Sequence, residues 1–176
     1  MRVLVAYSSK YGSTRGIADR IADRLRDAGH EVDIEHCDDV EYPEGFDAFV
    51  IGSAAYVGKW RKEARKFVRR NHELLAKRPV WLFSSGPLGT ERVDKDGNDM
   101  LVEARPKEFE EFADLIHPRG DMVFYGALHK DELRGPDRMV SWMPDNGLLP
   151  DGDFRDWDAI DDWANAVAAE LAEQPA

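Results

Sequence analysis

Residues 2–25 read RVLVAYSSKYGSTRGIADRIADRL, and their pattern changes twice within that stretch. Arg2 to Tyr7 is an apolar run of strand length. From residue 14 to residue 28 the apolar positions recur at helical spacing, with Ile17, Ile21 and Leu25 four apart, Ala18 and Ala22 beside them, and Gly29 placed to stop the helix. Between strand and helix lie Ser8, Ser9, Lys10, Tyr11, Gly12, Ser13 and Thr14. A hydroxyl-rich loop that opens directly into a helix presents unpaired N–H groups and the positive end of the helix dipole, which suits a phosphate. An N-cap by Ser13 or Thr14 explains one hydroxyl, not four within seven residues. No GxxxxGK[ST] is present, which excludes an ATP or GTP phosphate loop, and no GxGxxG follows the strand, so a dinucleotide fingerprint is missing.

The alternation of strand and helix patterns continues outward from this unit. Glu31 to His36 alternates as an edge strand does, and Phe46 to Gly52 is apolar enough for a central one. Trp60, Ala64, Phe67, Val68 and Leu75 form the buried stripe of a second helix. Val80 to Phe83 reads as the fourth strand. Pro106 suits the first turn of a helix carrying Phe109, Phe112, Ala113 and Ile116. Met122 to Leu128 reads as the fifth strand, and Trp157, Ile160, Trp163, Ala164, Val167 and Leu171 as the closing helix. The order predicts one α/β domain over residues 1–176: a doubly wound, five-stranded parallel sheet of order 2-1-3-4-5 with helices on both faces. At 176 residues the chain fits one domain of roughly 100–200 residues. Two long polar stretches, 85–104 and 129–156, follow strand ends, where open α/β sheets place their ligands.

Two further loops join the first. Strand three runs into Ser53, Ala54, Ala55, Tyr56, Val57, Gly58 and Lys59, then Trp60. Small residues flanked by aromatics let a flat ring approach the backbone, and Gly58 is free to take positive φ. Strand four ends in Ser84, then Ser85, Gly86, Pro87, Leu88 and Gly89, another turn with unpaired N–H groups.

Together these loops resemble the flavodoxin family. The run from Ser9 to Thr14 resembles its phosphate loop, and the segments 53–60 and 84–89 resemble its two isoalloxazine loops. Within that superfamily the pattern is most similar to flavodoxin-domain proteins related to menaquinone-dependent protoporphyrinogen oxidase. Gly126-Ala127-Leu128 at the end of strand five, the long insert, and Asp153-Phe154-Arg155-Asp156-Trp157 carry that similarity. The resemblance implies bound FMN. It implies that Ser9, Lys10, Tyr11, Gly12, Ser13 and Thr14 hold its phosphate. Ser53, Ala54, Ala55, Tyr56, Val57 and Gly58 would line one side of the ring, with Tyr56 or Trp60 stacking, and Ser85, Gly86, Pro87, Leu88 and Gly89 would meet its other edge. It also implies either an electron carrier or an oxidoreductase acting on a porphyrinogen or quinone. The partner is then a redox protein or a small anionic or quinone substrate. The chain departs from the pattern in carrying Lys10 and Tyr11 in the phosphate loop, in having no aromatic between Ser84 and Arg105, and in an insert that is not strongly basic.

Charge narrows the alternatives. The net charge of −11 argues against nucleic acid as a partner. Asp outnumbers Glu and Arg outnumbers Lys, a balance seen on salt-adapted surfaces. Lys59 to Arg70 nevertheless holds seven cations against Glu63 alone. The rival reading is therefore a flavin-free interaction domain that docks through the basic helix 59–70. No run approaches a membrane span, and the short apolar N-terminus is no signal peptide, so a cytoplasmic protein is expected. Cys37 is the sole cysteine and lies beside Asp38 and Asp39, which disfavour a thiolate. Asp94-Lys95-Asp96-Gly97-Asn98-Asp99 has its glycine too early for a calcium loop and reads as a turn, and the histidines show no metal spacing, so no metal is expected.

Overall fold

The computed structural model describes residues 1–137 and 150–173. In chain order they form β1 (Arg2–Ser8), α1 (Ser13–Asp27), β2 (Glu31–His36), β3 (Ala48–Tyr56), β4 (Lys59–Trp60), α2 (Lys62–Arg70), α3 (His72–Leu75), β5 (Val80–Ser85), α4 (Met100–Glu103), α5 (Glu108–Ile116), β6 (Gly120–Phe124), β7 (Ala127–Leu128), β8 (Gly152–Asp153) and α6 (Trp157–Ala172). The main sheet runs β2-β1-β3-β5-β6, every neighbouring pair parallel. This is the expected 2-1-3-4-5 order once the short β4 is set aside.

Side chains alternate across each strand, so one sheet feeds two cores. Val3, Val5, Val50, Trp81 and Phe83 point toward α1 and α6 and meet Ile17, Ile21, Ile160, Ala164 and Leu171. Leu4, Ala6, Phe49, Ile51 and Leu82 point the other way, onto Ala64, Phe67 and Val68 of α2 and Phe109, Phe112 and Ile116 of α5. Trp163 closes the first core edge-on, 5.7 Å from the Phe124 ring. The helices that follow β1 and β3 thus lie on opposite faces, and the seam between these two strands is the sheet's switch point.

Two boundaries differ from expectation. The basic segment does not begin as a helix. β3 turns back through Val57 and Gly58, at φ 53° and 68°, and Lys59–Trp60 pairs antiparallel with Ala55–Tyr56. Two successive residues at positive φ make the tight turn whose twist suits a two-residue hairpin. The fifth strand of the main sheet ends at Phe124, not Leu128. Gly126 N–H donates to the Pro87 carbonyl at 2.9 Å, which draws the chain across the sheet end, and Ala127–Leu128 pairs instead with Gly152–Asp153. The middle of the 129–156 insert lies outside the described residues. No helix among the described residues is long and apolar enough to cross a membrane.

Candidate functional site

A cleft of about 570 Å³ opens at the C-terminal ends of β1, β3 and β5, and all three loops singled out in the sequence reach it. From the first come Ser9, Lys10, Tyr11, Ser13 and Thr14. Gly12 shapes the loop without lining the cleft, since its φ of 86° starts α1. No side chain caps that helix. The Ser9 hydroxyl accepts from Gly12 N–H at 3.0 Å, and the Ser13 hydroxyl accepts from Ala127 N–H at 2.8 Å. Both are spent within the protein rather than on the helix end. Thr14 is different. Its hydroxyl is buried at the cleft wall with no hydrogen-bond partner. Buried polar atoms are nearly always paired, so an orphan at an uncapped helix N-terminus is what a bound anion would leave behind. Lys10 and Tyr11 both bond the Asp137 carboxylate of the insert. The Lys10 hydrogen bond, with that of Tyr11, holds the Asp137 carboxyl below the usual range. The two residues atypical of the phosphate loop thus tie it to the insert.

The second loop contributes Ala54, Ala55, Tyr56 and Val57. Ser53 does not line the cleft: its buried hydroxyl donates to the Ala54 carbonyl at 2.9 Å and accepts from Arg61 N–H at 3.1 Å. Gly58 supplies the turn, and its carbonyl accepts from Lys107 N–H at 3.2 Å. Trp60 corrects an expectation. It is 1% exposed and packs 5.2 Å from the Phe109 ring and 5.6 Å from the Phe112 ring, on the core side of the hairpin, so it is unavailable to stack in the cleft. The antiparallel turn is the reason, since Tyr56 and Lys59 face each other across it and Trp60 follows on the inner side. Tyr56 stays half-exposed at the rim. Burial, against the opposing charges of Arg61 and Lys10, pushes its phenol up.

The third loop brings Ser85, Gly86 and Leu88. Pro87 is buried behind them and Gly89, at φ 110°, turns the chain away. The expected turn at residues 94–99 is present: the Asp94 carboxylate accepts from Asp96 N–H and Asn98 N–H, each at 2.8 Å. Among the described residues no cluster of acidic, histidine or cysteine side chains suits a metal. Cys37 is buried, and burial with the Asp38 charge pushes its thiol up, which leaves it inert.

Six lining residues escaped the sequence reading: Arg61, Gly126, Ala127, Leu128, Leu133 and Asp137. Gly126, Ala127 and Leu128 were read as the end of the fifth strand, and Leu133 and Asp137 belong to the 129–156 insert, whose length was the signal that it serves a site. Arg61 sits inside the cation run and reads as one more solvated charge. In the fold its Nε donates to the Ser8 hydroxyl at 3.0 Å and its Nη2 to the Glu63 carboxylate at 3.2 Å. Ser8 in turn donates to the other Glu63 oxygen at 3.2 Å, closing a ring of three. Burial pushes the Glu63 carboxyl up, but its own N–H, the Arg61 charge and the Ser8 hydroxyl outweigh that and hold it below the usual range.

The residues present fit a flavin mononucleotide. The helix end and Thr14 suit one phosphate. Ala54, Ala55 and Gly86 keep the walls low enough for a flat ring, and a Cβ at Gly86 would already touch Ala55 at 3.5 Å. The volume lies within the roughly 300–1,000 Å³ of small-molecule sites.

The flavodoxin domain family profile matches residues 4–147. Among curated proteins, protoporphyrinogen IX dehydrogenase (quinone) of Escherichia coli (strain K12) is 29% identical over 86 residues, which is 48% of this chain and 48% of that one. The chain thus matches about half the length of that relative. Among solved structures, a flavodoxin from the domain Archaea superposes with a TM-score of 0.59 at 16% identity, covering 98% of this chain and 100% of its own. The rubredoxin oxygen:oxidoreductase of the anaerobe Desulfovibrio gigas gives 0.61 at 14% identity, over 97% of this chain and 36% of its own. Flavodoxin 2 of Bacillus cereus gives 0.58 at 22% identity, over 97% of this chain and 99% of its own. At these identities the likeness is one of fold.

Proposed function

We propose that this chain, which belongs to the flavodoxin domain family, binds FMN between its three loops and works as an electron-transfer protein or oxidoreductase. The observation that carries this reading is the orphaned Thr14 hydroxyl at the uncapped start of α1, in a cleft that small residues keep flat. Bound FMN supplies one- or two-electron transfer at its ring; the protein binds it, orients it and sets its electrostatics. One anion site and no second-nucleotide fingerprint favour FMN over FAD. The purified protein should be yellow, and chromatography of the heat-released cofactor should recover FMN. Recovery of mainly FAD would exclude the mononucleotide. A colourless protein that takes up no added FMN would instead favour the flavin-free docking domain.

Similarity to the porphyrinogen dehydrogenase extends over half of each chain, so that chemistry is the finer part of the proposal. Turnover with protoporphyrinogen IX and a quinone decides between an enzyme and a carrier.

The partner surface we propose is the basic face of α2. An open groove is lined by Lys62, Arg65, Lys66, Arg69 and Arg70, in a protein of net charge −11. Three of these are partly spent: Arg65 pairs with Glu108 at 3.5 Å, Arg69 pairs with Glu111 at 2.7 Å, and Arg70 donates to the Val40 carbonyl at 3.4 Å. Lys62 and Lys66 remain exposed, and the face is suited to an acidic redox protein. Electrostatic steering raises association rates and fades over a Debye length of ~10 Å at 0.1 M salt. Lys62→Glu with Lys66→Glu should slow electron exchange with a small acidic ferredoxin about tenfold at low salt. It should also flatten the salt dependence and leave FMN affinity alone. An unaltered rate and salt slope would reduce the groove to a solvated helix face.

A further inference from the structure

The ring formed by Ser8, Arg61 and Glu63 lies under the cleft at the seam of β1 and β3. Ser8 and Ser53 are paired neighbours at the ends of those strands. Ser8 takes the Arg61 side chain, while Ser53 and the Ala54 carbonyl take its backbone N–H, at 3.1 and 3.3 Å. Arg61 is therefore held at its backbone and at its guanidinium by the ends of the two strands at the switch point. Its side chain is 20% exposed and that of Glu63 is 10%. Nε and Nη2 are committed to the ring, and among the described residues no acceptor is recorded for Nη1. Arg61 is the member that lines the cleft; Ser8 and Glu63 do not.

The charges of the pair are not placed alike. Glu63 is the second residue of α2, where its carboxylate receives its own backbone N–H and the favourable end of the helix dipole. Much of its negative charge is answered from behind. The positive charge of Arg61 faces the cleft at low exposure, where a fixed charge is poorly screened.

We propose that Arg61 is a fixed cation that makes this site favour the reduced flavin, and so sets the reduction potential of the protein above that of an otherwise identical neutral site. Two electrons and one proton convert the oxidised ring to a reduced ring bearing one additional negative charge. A cation aimed into the cleft binds that form better than the neutral one, and the difference appears as potential. Glu63 and Ser8 are positioning residues: they lock the guanidinium rotamer.

This inference rests on FMN occupying the cleft. The test is the midpoint potential of the FMN-loaded protein, measured with the dissociation constant for oxidised FMN and the thermal midpoint. Arg61→Gln should lower the ratio of reduced-to-oxidised affinity about tenfold, equivalent to a fall of ~30 mV for a two-electron couple. Glu63→Gln leaves Arg61 less neutralised and should move the potential the opposite way. Where Arg61→Gln fails to fold because Glu63 is left unpaired, Arg61→Gln with Glu63→Gln removes both charges. That double variant should still lie below the wild type, because the cation is the nearer charge. A folded, FMN-binding Arg61→Gln protein with an unchanged or higher potential overturns the proposal while leaving the FMN reading intact. So does a Glu63→Gln potential below the wild type, or a double variant at or above it. Failure of the wild-type protein to bind FMN removes both.

Discussion

Trp60→Ala should cost about 3–5 kcal/mol of folding stability and leave the emission of bound flavin unchanged. The indole is 1% exposed, edge-on to Phe109 and tilted on Phe112, and its backbone N–H donates to the buried Glu108 carboxylate at 3.2 Å. Truncation opens a cavity beside the Phe109 and Phe112 rings of α5. The indole N–H has no partner, so Trp60→Phe forfeits no hydrogen bond and should lose less than half as much. Urea denaturation of the flavin-free protein measures both. Tyr56 supplies the contrast. It is 49% exposed and lines the cleft, so Tyr56→Leu should be nearly neutral for stability and should brighten bound FMN by removing a quenching ring. Brighter flavin in Trp60→Ala, or a stability loss under about 1 kcal/mol, would put the indole in the cleft wall after all.

Trp60 also shows where reading the chain succeeds and where it stops. Its spacing to Ala64, Phe67 and Val68 correctly makes it core. The same residues do not reveal that a hairpin rather than a helical turn delivers it there, because the turn at Val57 and Gly58 is made by one glycine and one β-branched residue that rarely takes positive φ. The strand–helix alternation was legible throughout, since parallel strands buried on both faces are continuous apolar runs. The end of the fifth strand was not. Apolar character continues through Ala127 and Leu128, and contacts remote in sequence divert the chain: Gly126 N–H with the Pro87 carbonyl, 39 positions earlier, and Ala127 N–H with the Ser13 hydroxyl. The cleft follows the same rule. Loops at strand ends are local features and were visible as hydroxyl-rich or small-residue runs. The bonds from Asp137 to Lys10 and Tyr11, and from Arg61 to Ser8, join residues far apart in sequence. In composition Arg61 is indistinguishable from Arg65 or Arg69; its seat beside two strand ends sets it apart.

Thr14→Val should weaken FMN binding by ten- to a hundredfold while leaving the flavin-free protein as stable as before, or more so. The two effects have opposite signs because the hydroxyl has no partner in the flavin-free fold. A buried polar group left unpaired costs roughly 1–3 kcal/mol, and replacing it with a methyl of similar shape relieves that cost. With phosphate in place the same hydroxyl donates to a charged acceptor, an interaction worth ~1.5–3 kcal/mol, or one to two decades of affinity. The uncapped first turn of α1 still contributes its N–H groups and dipole, so binding falls but does not vanish. Titration of flavin-free protein with FMN, beside urea denaturation of the same preparation, reads both signs. Neither the Ser9 nor the Ser13 hydroxyl would separate them. Ser9→Ala removes the acceptor of Gly12 N–H, and Ser13→Ala removes that of Ala127 N–H, so each should weaken the loop and the ligand together. Unchanged FMN affinity in Thr14→Val would move the phosphate away from α1. A loss of affinity matched by an equal loss of stability would show that the substitution had damaged the loop instead.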